Sequence, residues 1–334
     1  MRLGQYELHN VHEILDAPDS HGSICCRIPN DLRVTLNESA KTNALQASGC
    51  EIRFNLDGPS AAITLQSPDE PTLVEVFQGD FFSAMYIIDV IPTRIVVERP
   101  QTEKIMQQIT GTSSRFDTGL TRVILPWRPS VRLISIEGET SLPKPEQTPD
   151  IRYLAYGSSI THGSTAVRPT GTYPARTAEL LGTDLFNLGF GGGAHMEEGM
   201  ADYIAERTDW DIATLEMGIN VVQTFDEDEF YHRVEYFVTT IADAHPENWI
   251  FCIDIFPCIY DFIGVEKANR FRAIVAERVK ILDRPKLVHI AGGSLLKSNA
   301  SLTIDLVHPA PAGFEEMAQN LANLISAKTK RQES

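Results

Sequence analysis

The sequence has few of the features that mark secreted, membrane-spanning or zinc-binding proteins. Its five cysteines show no CxxC spacing, so they predict neither a zinc site nor a disulfide framework. No stretch approaches the ~18 consecutive apolar residues that a membrane span requires. The opening segment, MRLGQYELHNVHEIL, lacks the apolar core of a signal peptide. We therefore expect a cytoplasmic protein with reduced thiols and no membrane span.

Clusters of positive charge are also lacking. The formal net charge is −16, both halves of the chain are acidic, and no run of Lys or Arg occurs. Nucleic acids and anionic membranes bind through positive surfaces, so neither is an expected partner. A small-molecule or carbohydrate substrate suits this composition better. The length of 334 residues fits two domains of roughly 100–200 residues each.

Before about residue 140, apolar and polar residues alternate with a period of two. Ile52, Phe54 and Leu56, for example, are separated by polar residues. Further short segments of this kind lie at 63–65, 73–77, 85–91, 94–97, 122–125 and 131–136. This pattern predicts an antiparallel β-sandwich of the jelly-roll type over residues 1–140, without a long helix. The proline-rich segment 141–150, SLPKPEQTPD, is interpreted as a linker.

From residue 151 onward, predicted strands alternate with predicted helices. The strands lie at 151–156, 184–187, 212–217, 249–255 and 287–290, and the helices at 173–181, 194–207, 225–244, 265–282 and 312–328. Such alternation predicts a second domain over 151–330 with a parallel sheet covered by helices on both faces. In such sheets the functional site lies beyond the carboxyl ends of the strands.

Two segments at predicted strand ends carry groups suited to nucleophilic catalysis. GSSITHG contains Ser159 between a strand and a turn, and its hydroxyl needs a base to become a nucleophile. NLGFGGG combines glycines, which let backbone N–H groups approach a ligand, with a following helix. It lacks the GKS or GKT of a phosphate loop. Taken singly, a serine of this kind is more often a helix cap, and such a loop is more often a tight turn.

Two further segments complete the set. Asn220, in GIN, follows a predicted strand, where its amide could donate hydrogen bonds to an oxyanion. Asp305 and His308, in DLVHP, are three residues apart, so the carboxylate could fix the tautomer of the imidazole. Either segment alone would be unremarkable, because turn asparagines are common and DxxH often occurs by chance.

In their order along the chain, the four segments resemble the four blocks of the SGNH, or GDSL-type, serine hydrolases. GSSITHG stands where that family commonly has GDS-L, with Ser158 in place of Asp and Ser159 at the position of the nucleophile. The resemblance covers roughly residues 151–326 and implies a three-layer α/β/α, flavodoxin-like fold. It also implies a backbone oxyanion donor at Gly192, next to the N–H of Ser159.

The other two blocks carry the remaining residues of the expected site. By this resemblance Asn220 is the side-chain oxyanion donor, although Val221 stands where Asp often follows. Asp305 and His308 complete a catalytic triad with Ser159. Some carbohydrate esterases and acyltransferases of the superfamily have a jelly-roll-like domain before the hydrolase domain, which is similar to the first region here.

The resemblance implies a serine esterase that acts through an acyl-enzyme and needs neither a cofactor nor a metal. Short-acyl, for example acetyl, esters of a carbohydrate or small molecule are the expected substrates. An acyltransferase using the same acyl-enzyme is an alternative, and an inactive carbohydrate-binding protein is a third reading. A homo-oligomer formed through the first domain also stays open.

Three more residues are candidates for the substrate pocket. His195 follows the glycine segment, although a surface position or one at a helix start is the more common explanation for such a residue. Glu216 is an acid in an apolar strand close to Asn220, where it would either tune the site or serve as a hydrogen-bonded structural carboxylate. Tyr260 lies in FPCIYDFIG, which would form either a wall of the acyl pocket or a subunit contact.

Overall fold

The structure is a computed structural model and describes residues 1–18, 21–110 and 114–330. Its first region contains the strands β1 (Arg2–Leu3), β2 (Tyr6–His9), β3 (Glu13–Asp16), β4 (Ser23–Cys26), β5 (Glu51–Gln66), β6 (Thr72–Gln78), β7 (Phe81–Ile88), β8 (Thr93–Glu98), β9 (Leu120–Ile124) and β10 (Arg132–Ser141). The helices of this region are α1 (Asn30–Arg33), α2 (Glu38–Asn43) and α3 (Glu103–Thr110).

The second region begins with strand β11. Its strands are β11 (Arg152–Gly157), β12 (Asp184–Gly189), β13 (Ile212–Glu216), β14 (Trp249–Ile253) and β15 (Leu287–Ile290). Its helices are α4 (Ser159–His162), α5 (Tyr173–Leu181), α6 (Glu198–Glu206), α7 (Glu227–Ala244), α8 (Ile259–Phe262), α9 (Glu266–Leu282), α10 (Gly292–Leu295) and α11 (Pro311–Thr329). Short 3-10 helices occur at Pro145–Gln147, Pro169–Gly171 and Asn299–Ser301.

Strand β5 organises the antiparallel sheet. Its first half pairs with β2 and β9, and its second half pairs with β8 and β10. The β5 residues that join the apolar cluster are even-numbered in the first half, such as Ile52 and Phe54, and odd-numbered in the second, such as Ile63 and Leu65. A register shift opposite residues 57–60 makes this change possible, because an irregularity in a ladder changes which side chains face the core. Both halves contribute to one apolar cluster, and the predicted antiparallel sandwich is confirmed.

The second region is a five-stranded parallel sheet in the order β12–β11–β13–β14–β15. Alternate residues of β11 belong to different clusters: Leu154 and Tyr156 pack with α6, α7 and α9, while Tyr153 and Ala155 pack with α5 and α11. The predicted three-layer arrangement is therefore confirmed. Within the described ranges, no helix is both long and apolar enough to cross a bilayer.

The two regions share buried structure. Arg53 of β5 makes two hydrogen bonds of 2.7 Å to the carboxylate of Asp184 at the start of β12. Apolar residues between β4 and β5, among them Ile28, Leu36 and Ala40, belong to the core under α6, α7 and α9. Strand β10 extends to residue 141 and a 3-10 helix lies within 141–150, so the division of the chain at 140 and 150 stays a prediction.

Candidate active site

Ser159 lies at the sharp turn between β11 and α4. Gly157 ends the strand, and a Cβ atom there would lie 2.4 Å from Oε2 of Glu216, so only glycine fits. The Ser158 side chain accepts a 3.2 Å hydrogen bond from the N–H of Ile160 and caps α4. Gly163, with φ of +113°, ends the helix after one turn. The turn leaves Ser159 half-buried at the carboxyl edge of the sheet.

His308 and Asp305 approach Ser159 from the loop before α11. Oγ of Ser159 lies 2.8 Å from Nε2 of His308, across 149 positions of sequence. Nδ1 of His308 lies 2.7 Å from Oδ2 of Asp305. With Nδ1 as the donor to the carboxylate, Nε2 is free to accept the hydroxyl proton of Ser159. The structure thus brings the three residues into one hydrogen-bonded chain.

The Asp305 carboxylate is held in its ionised form. Its Oδ1 atom accepts hydrogen bonds from the backbone N–H groups of Val307 (2.8 Å) and His308 (2.9 Å) and from the hydroxyl of Thr303 (2.8 Å). Partial burial opposes ionisation, but the bonds from His308, Val307 and Thr303 outweigh it and hold the pKa of Asp305 well below its usual range. The carboxylate therefore remains an acceptor for the imidazole at all ordinary pH values.

Three N–H donors at the carboxyl edge of the sheet have no protein acceptor among the described residues. They are the backbone N–H groups of Ser159 and Gly192, and Nδ2 of Asn220. The Oδ1 atom of Asn220 accepts the N–H of Ala194 at 3.1 Å, which fixes the orientation of the amide. Gly192 has φ of +69°, which favours glycine. Unmatched donors of this kind are what an oxyanion requires.

Glu216 lies beneath the turn that carries Ser159 and is completely buried, so it does not line an open pocket. Its Oε2 atom accepts the N–H of Ser158 at 2.5 Å and the hydroxyl of Thr161 at 3.1 Å. Burial raises the pKa of Glu216, and these hydrogen bonds only partly offset that effect. Since the next residue along the chain from Ser158 is Ser159, Glu216 anchors the turn that holds Ser159.

The other two candidate pocket residues lie at the borders of the site. The ring of His195 is half-buried and lies 3.1 Å from the carbonyl oxygen of Gly192. Tyr260 packs beside the core under α9, and no described contact joins its side chain to Ser159 or His308. Its neighbour Ile259 donates its N–H to the carbonyl of Leu306 at 2.6 Å, so α8 supports the loop that carries His308.

His162 has a structural role. Its sequence position places it in a turn close to Ser159, but that position does not show whether its side chain is buried. The side chain is buried, and burial together with the nearby Arg27 lowers the pKa of His162 to about 3. The neutral ring donates from Nε2 to the carbonyl of Trp127 at 2.9 Å and accepts the N–H of Gly191 at 3.3 Å. It thereby connects the first region to the glycine loop.

Two clefts lie along the boundary between the regions. One of about 390 Å³ is lined by Trp127, Arg128 and residues 167–169, next to the loop that follows α4. The other, of about 780 Å³, is polar and contains Arg53 and Asp184 at the opposite edge of the sheet, away from Ser159. The first shares Trp127 with the hydrogen bond to His162, whereas the second belongs to the ion-pair network between the regions.

Comparison with family models identifies the second region. Residues 151–326, more than half of the chain, match the model of the GDSL-like Lipase/Acylhydrolase family, and the protein belongs to that family. The resemblance seen in the four sequence blocks is therefore confirmed. A comparison with curated protein sequences finds no match.

Solved structures show the same two-part architecture. A salicylyl-acyltransferase from a tetracycline biosynthetic pathway is similar with a TM-score of 0.81 and 18% identity, over 97% of this chain and 94% of that chain. A family two carbohydrate esterase from Clostridium thermocellum has a TM-score of 0.63 and 15% identity, over 97% and 98%. An acetyl xylan esterase from Butyrivibrio proteoclasticus has a TM-score of 0.56 and 14% identity, over 98% of both chains. At these identities the likeness concerns the fold.

Proposed function

We propose that the protein is a serine esterase that hydrolyses short-acyl carboxylic esters of a carbohydrate or small molecule, through an acyl-enzyme on Ser159. The observation that carries this proposal is the hydrogen-bonded chain from Ser159 through His308 to Asp305, with distances of 2.8 and 2.7 Å. The unmatched N–H donors beside it and the membership in an acylhydrolase family support the same chemistry.

The reaction begins when Oγ of Ser159 attacks the ester carbonyl and His308 takes the hydroxyl proton on Nε2. The carbonyl electron pair moves to its oxygen, and Asp305 stabilises the imidazolium. Collapse of the tetrahedral intermediate breaks the bond to the alcohol oxygen, which receives the proton from His308. Water then attacks the acyl-enzyme with His308 as base, and release of the carboxylic acid restores the Ser159 hydroxyl.

The oxyanion is bound by the N–H groups of Ser159 and Gly192 and by the Asn220 amide. The segment Gly192-Gly193-Ala194 places no large side chain beside this region, which suits a small acyl group. The imidazole of His308 is 25% exposed and the carboxylate of Asp305 is 47% exposed, so water can reach the acyl-enzyme. This openness favours hydrolysis over transfer, although an alcohol acceptor would use the same intermediate.

Hydrolysis of p-nitrophenyl acetate tests the nucleophile. We expect Ser159→Ala to lower kcat/KM by at least about 10³-fold, and His308→Ala to do the same. Ser164→Ala is the matched control, because Ser164 lies on the same turn and its hydroxyl has no hydrogen-bond partner among the described residues. Parental rates in Ser159→Ala would refute the assignment.

A second measurement separates hydrolysis from transfer. With p-nitrophenyl acetate and increasing methanol, we expect acetate to remain the main product. Methyl acetate formed in excess over acetate at low methanol would identify the protein as an acyltransferase instead. Labelling of Ser159 by a fluorophosphonate probe, followed by peptide mass spectrometry, would distinguish either enzyme from an inactive binding protein.

A further inference from the structure

The first region holds the backbone of the glycine loop at every second residue. The carbonyl of residue 187 accepts from Asn10 (3.0 Å) and Arg27 (2.8 Å), and that of residue 189 accepts from Arg27 (2.8 Å). The carbonyls of residues 191 and 193 accept from Asn43 and Asn37, each at 3.0 Å. All four side chains come from residues 10–43, so the loop that carries Gly192 is shaped from outside the second region.

Asn43, the last residue of α2, bonds the residue next to Gly192. Its Oδ1 accepts the N–H of Gly191 at 3.0 Å, and its Nδ2 donates to the carbonyl of the same residue at 3.0 Å. Nδ2 also donates to the carbonyl of Ser39 at 2.6 Å, and the backbone carbonyl of Asn43 accepts from Arg27 at 2.7 Å. Every polar atom of the side chain is therefore engaged, and its orientation is fixed.

The peptide that Asn43 holds is the one that carries the Gly192 N–H. The carbonyl of Gly191 and the N–H of Gly192 belong to one planar trans peptide and point in opposite directions. With the carbonyl bonded to Asn43, the N–H of Gly192 is turned away from α2 and has no acceptor in the described chain. A Cβ atom on Gly191 would lie 3.5 Å from the Cβ atom of Ser159, so this peptide borders the nucleophile.

From this geometry we infer that Asn43 is a positioning residue, which aims the Gly192 N–H at the oxyanion by fixing the Gly191–Gly192 peptide. The inference rests on the proposed function, because it gives the N–H its role in the transition state. An oxyanion donor acts only when it is held in place before the reaction. A misplacement of about 1 Å costs about 100-fold in rate.

The experiment compares Asn43→Ala and Asn43→Asp with the parent. Asn43→Ala removes both hydrogen bonds, whereas Asn43→Asp keeps the acceptor for the Gly191 N–H and puts a carboxylate oxygen against the Gly191 carbonyl. We expect kcat for p-nitrophenyl acetate to fall about 10-fold to 100-fold in both variants, with KM within about twofold of the parent. Thr42→Ala is the matched control, because Thr42 is exposed on the same helix and its hydroxyl bonds, among the described residues, only to the carbonyl of Glu38.

Binding of a phenylboronic acid supplies a readout that a merely structural contact would not change. Its tetrahedral adduct with Ser159 places an oxygen where the oxyanion forms, so its Kd should rise by the same factor as kcat falls. Thermal unfolding identifies which variants are folded. If Asn43→Ala does not fold, the comparison is made with Asn43→Asp.

The outcomes separate this inference from the proposed function. A folded Asn43 variant with the kcat and boronate Kd of Thr42→Ala would overturn the inference. A loss confined to KM would do so as well, because it would place Asn43 in substrate binding. In both cases the loss of activity in Ser159→Ala would still stand for the proposed function, whereas parental activity in Ser159→Ala would remove that function itself.

Discussion

Each edge of the parallel sheet has a histidine beside an aspartate, in opposite surroundings. At the amino edge, Nε2 of His9 lies 3.4 Å from Asp184, and the two side chains are 6% and 7% exposed. At the carboxyl edge, Nδ1 of His308 lies 2.7 Å from Oδ2 of Asp305, and the two side chains are 25% and 47% exposed. The first pair is enclosed by protein, whereas the second is open to solvent and to a hydroxyl.

The amino edge satisfies its charges internally. Arg53 bonds both oxygens of Asp184 and also lies 2.8 Å from Glu51, which in turn pairs with Arg122 at 2.5 Å. Burial opposes ionisation of Asp184, but Arg53 and His9 overcome it and lower its pKa to about 2. At the carboxyl edge, by contrast, the N–H groups of Ser159 and Gly192 and the Nδ2 atom of Asn220 have no acceptor in the part of the chain that the structure describes. A saturated cluster stabilises the fold, while an unsaturated one can bind a transition state.

The largest effect should come from breaking the saturated cluster. Arg53→Met leaves Asp184 and Glu51 buried without their shared cation, which typically costs about 3–5 kcal/mol of unfolding free energy. Urea unfolding measures this loss, and kcat per folded molecule should stay near that of the parent. Arg94→Met is the control, since Arg94 is 57% exposed and its 3.9 Å pair with Glu137 should contribute less than about 1 kcal/mol. A large fall in kcat of folded Arg53→Met would contradict the assignment of stability to the amino edge and of activity to the carboxyl edge.

A smaller effect, on rate instead of stability, should follow at the carboxyl edge. Asn220→Ala removes one of the proposed oxyanion donors, so kcat should fall by about 10²–10³-fold, or about 2.7–4 kcal/mol, with little change in KM. Asn248→Ala sharpens the test, because Asn248 donates to the carbonyl of Trp210 at the amino edge, at 2.5 Å. Steady-state kinetics should leave this second variant at the parental rate. Equal losses in both would argue against the oxyanion role.

The smallest effect concerns the dependence of stability on pH. The pKa of His162 is about 3 in the folded protein and 6.5 in its ordinary state, so the unfolded chain binds more protons between these values. Unfolding free energy should therefore fall as pH drops below 6.5, by up to about 1.4 kcal/mol per pH unit from this group. His162→Gln should flatten the curve measured by urea unfolding at pH 7 and pH 5. Parallel curves for parent and variant would contradict the assignment.

Periodicity predicted the elements that bury one regular face. The alternation around Ile52 and Phe54 marked β5, and the helical pattern over 312–328 marked α11, which the structure extends to Pro311–Thr329. Ser159 could be named because it stands in a short block at a strand end, and Asp305 and His308 because they stand three residues apart in a block just before the last helix. Their assembly could not be measured from sequence, since it depends on how distant loops meet.

Other parts of the site leave no periodic signal. Asn43 and Arg27 each make two hydrogen bonds to backbone atoms about 150–160 positions away, and such contacts place no constraint on neighbouring residue types. Glu216 was indicated as an acid in an apolar strand, but sequence could not show whether it faces a pocket or the interior. The structure puts it inside, where it bonds Ser158 and Thr161.

The segment between β4 and β5 has a consequence for engineering. Ile28, Leu36 and Ala40 fill the same core as the helices of the second region. Neither region can therefore be exchanged for that of a relative without changes in the other. A chimera that takes its sandwich from a relative must also import a complementary glycine loop and the matching surface of that core. A domain exchange should therefore keep the β4–β5 segment together with the second region, which a single cut at residue 150 does not do.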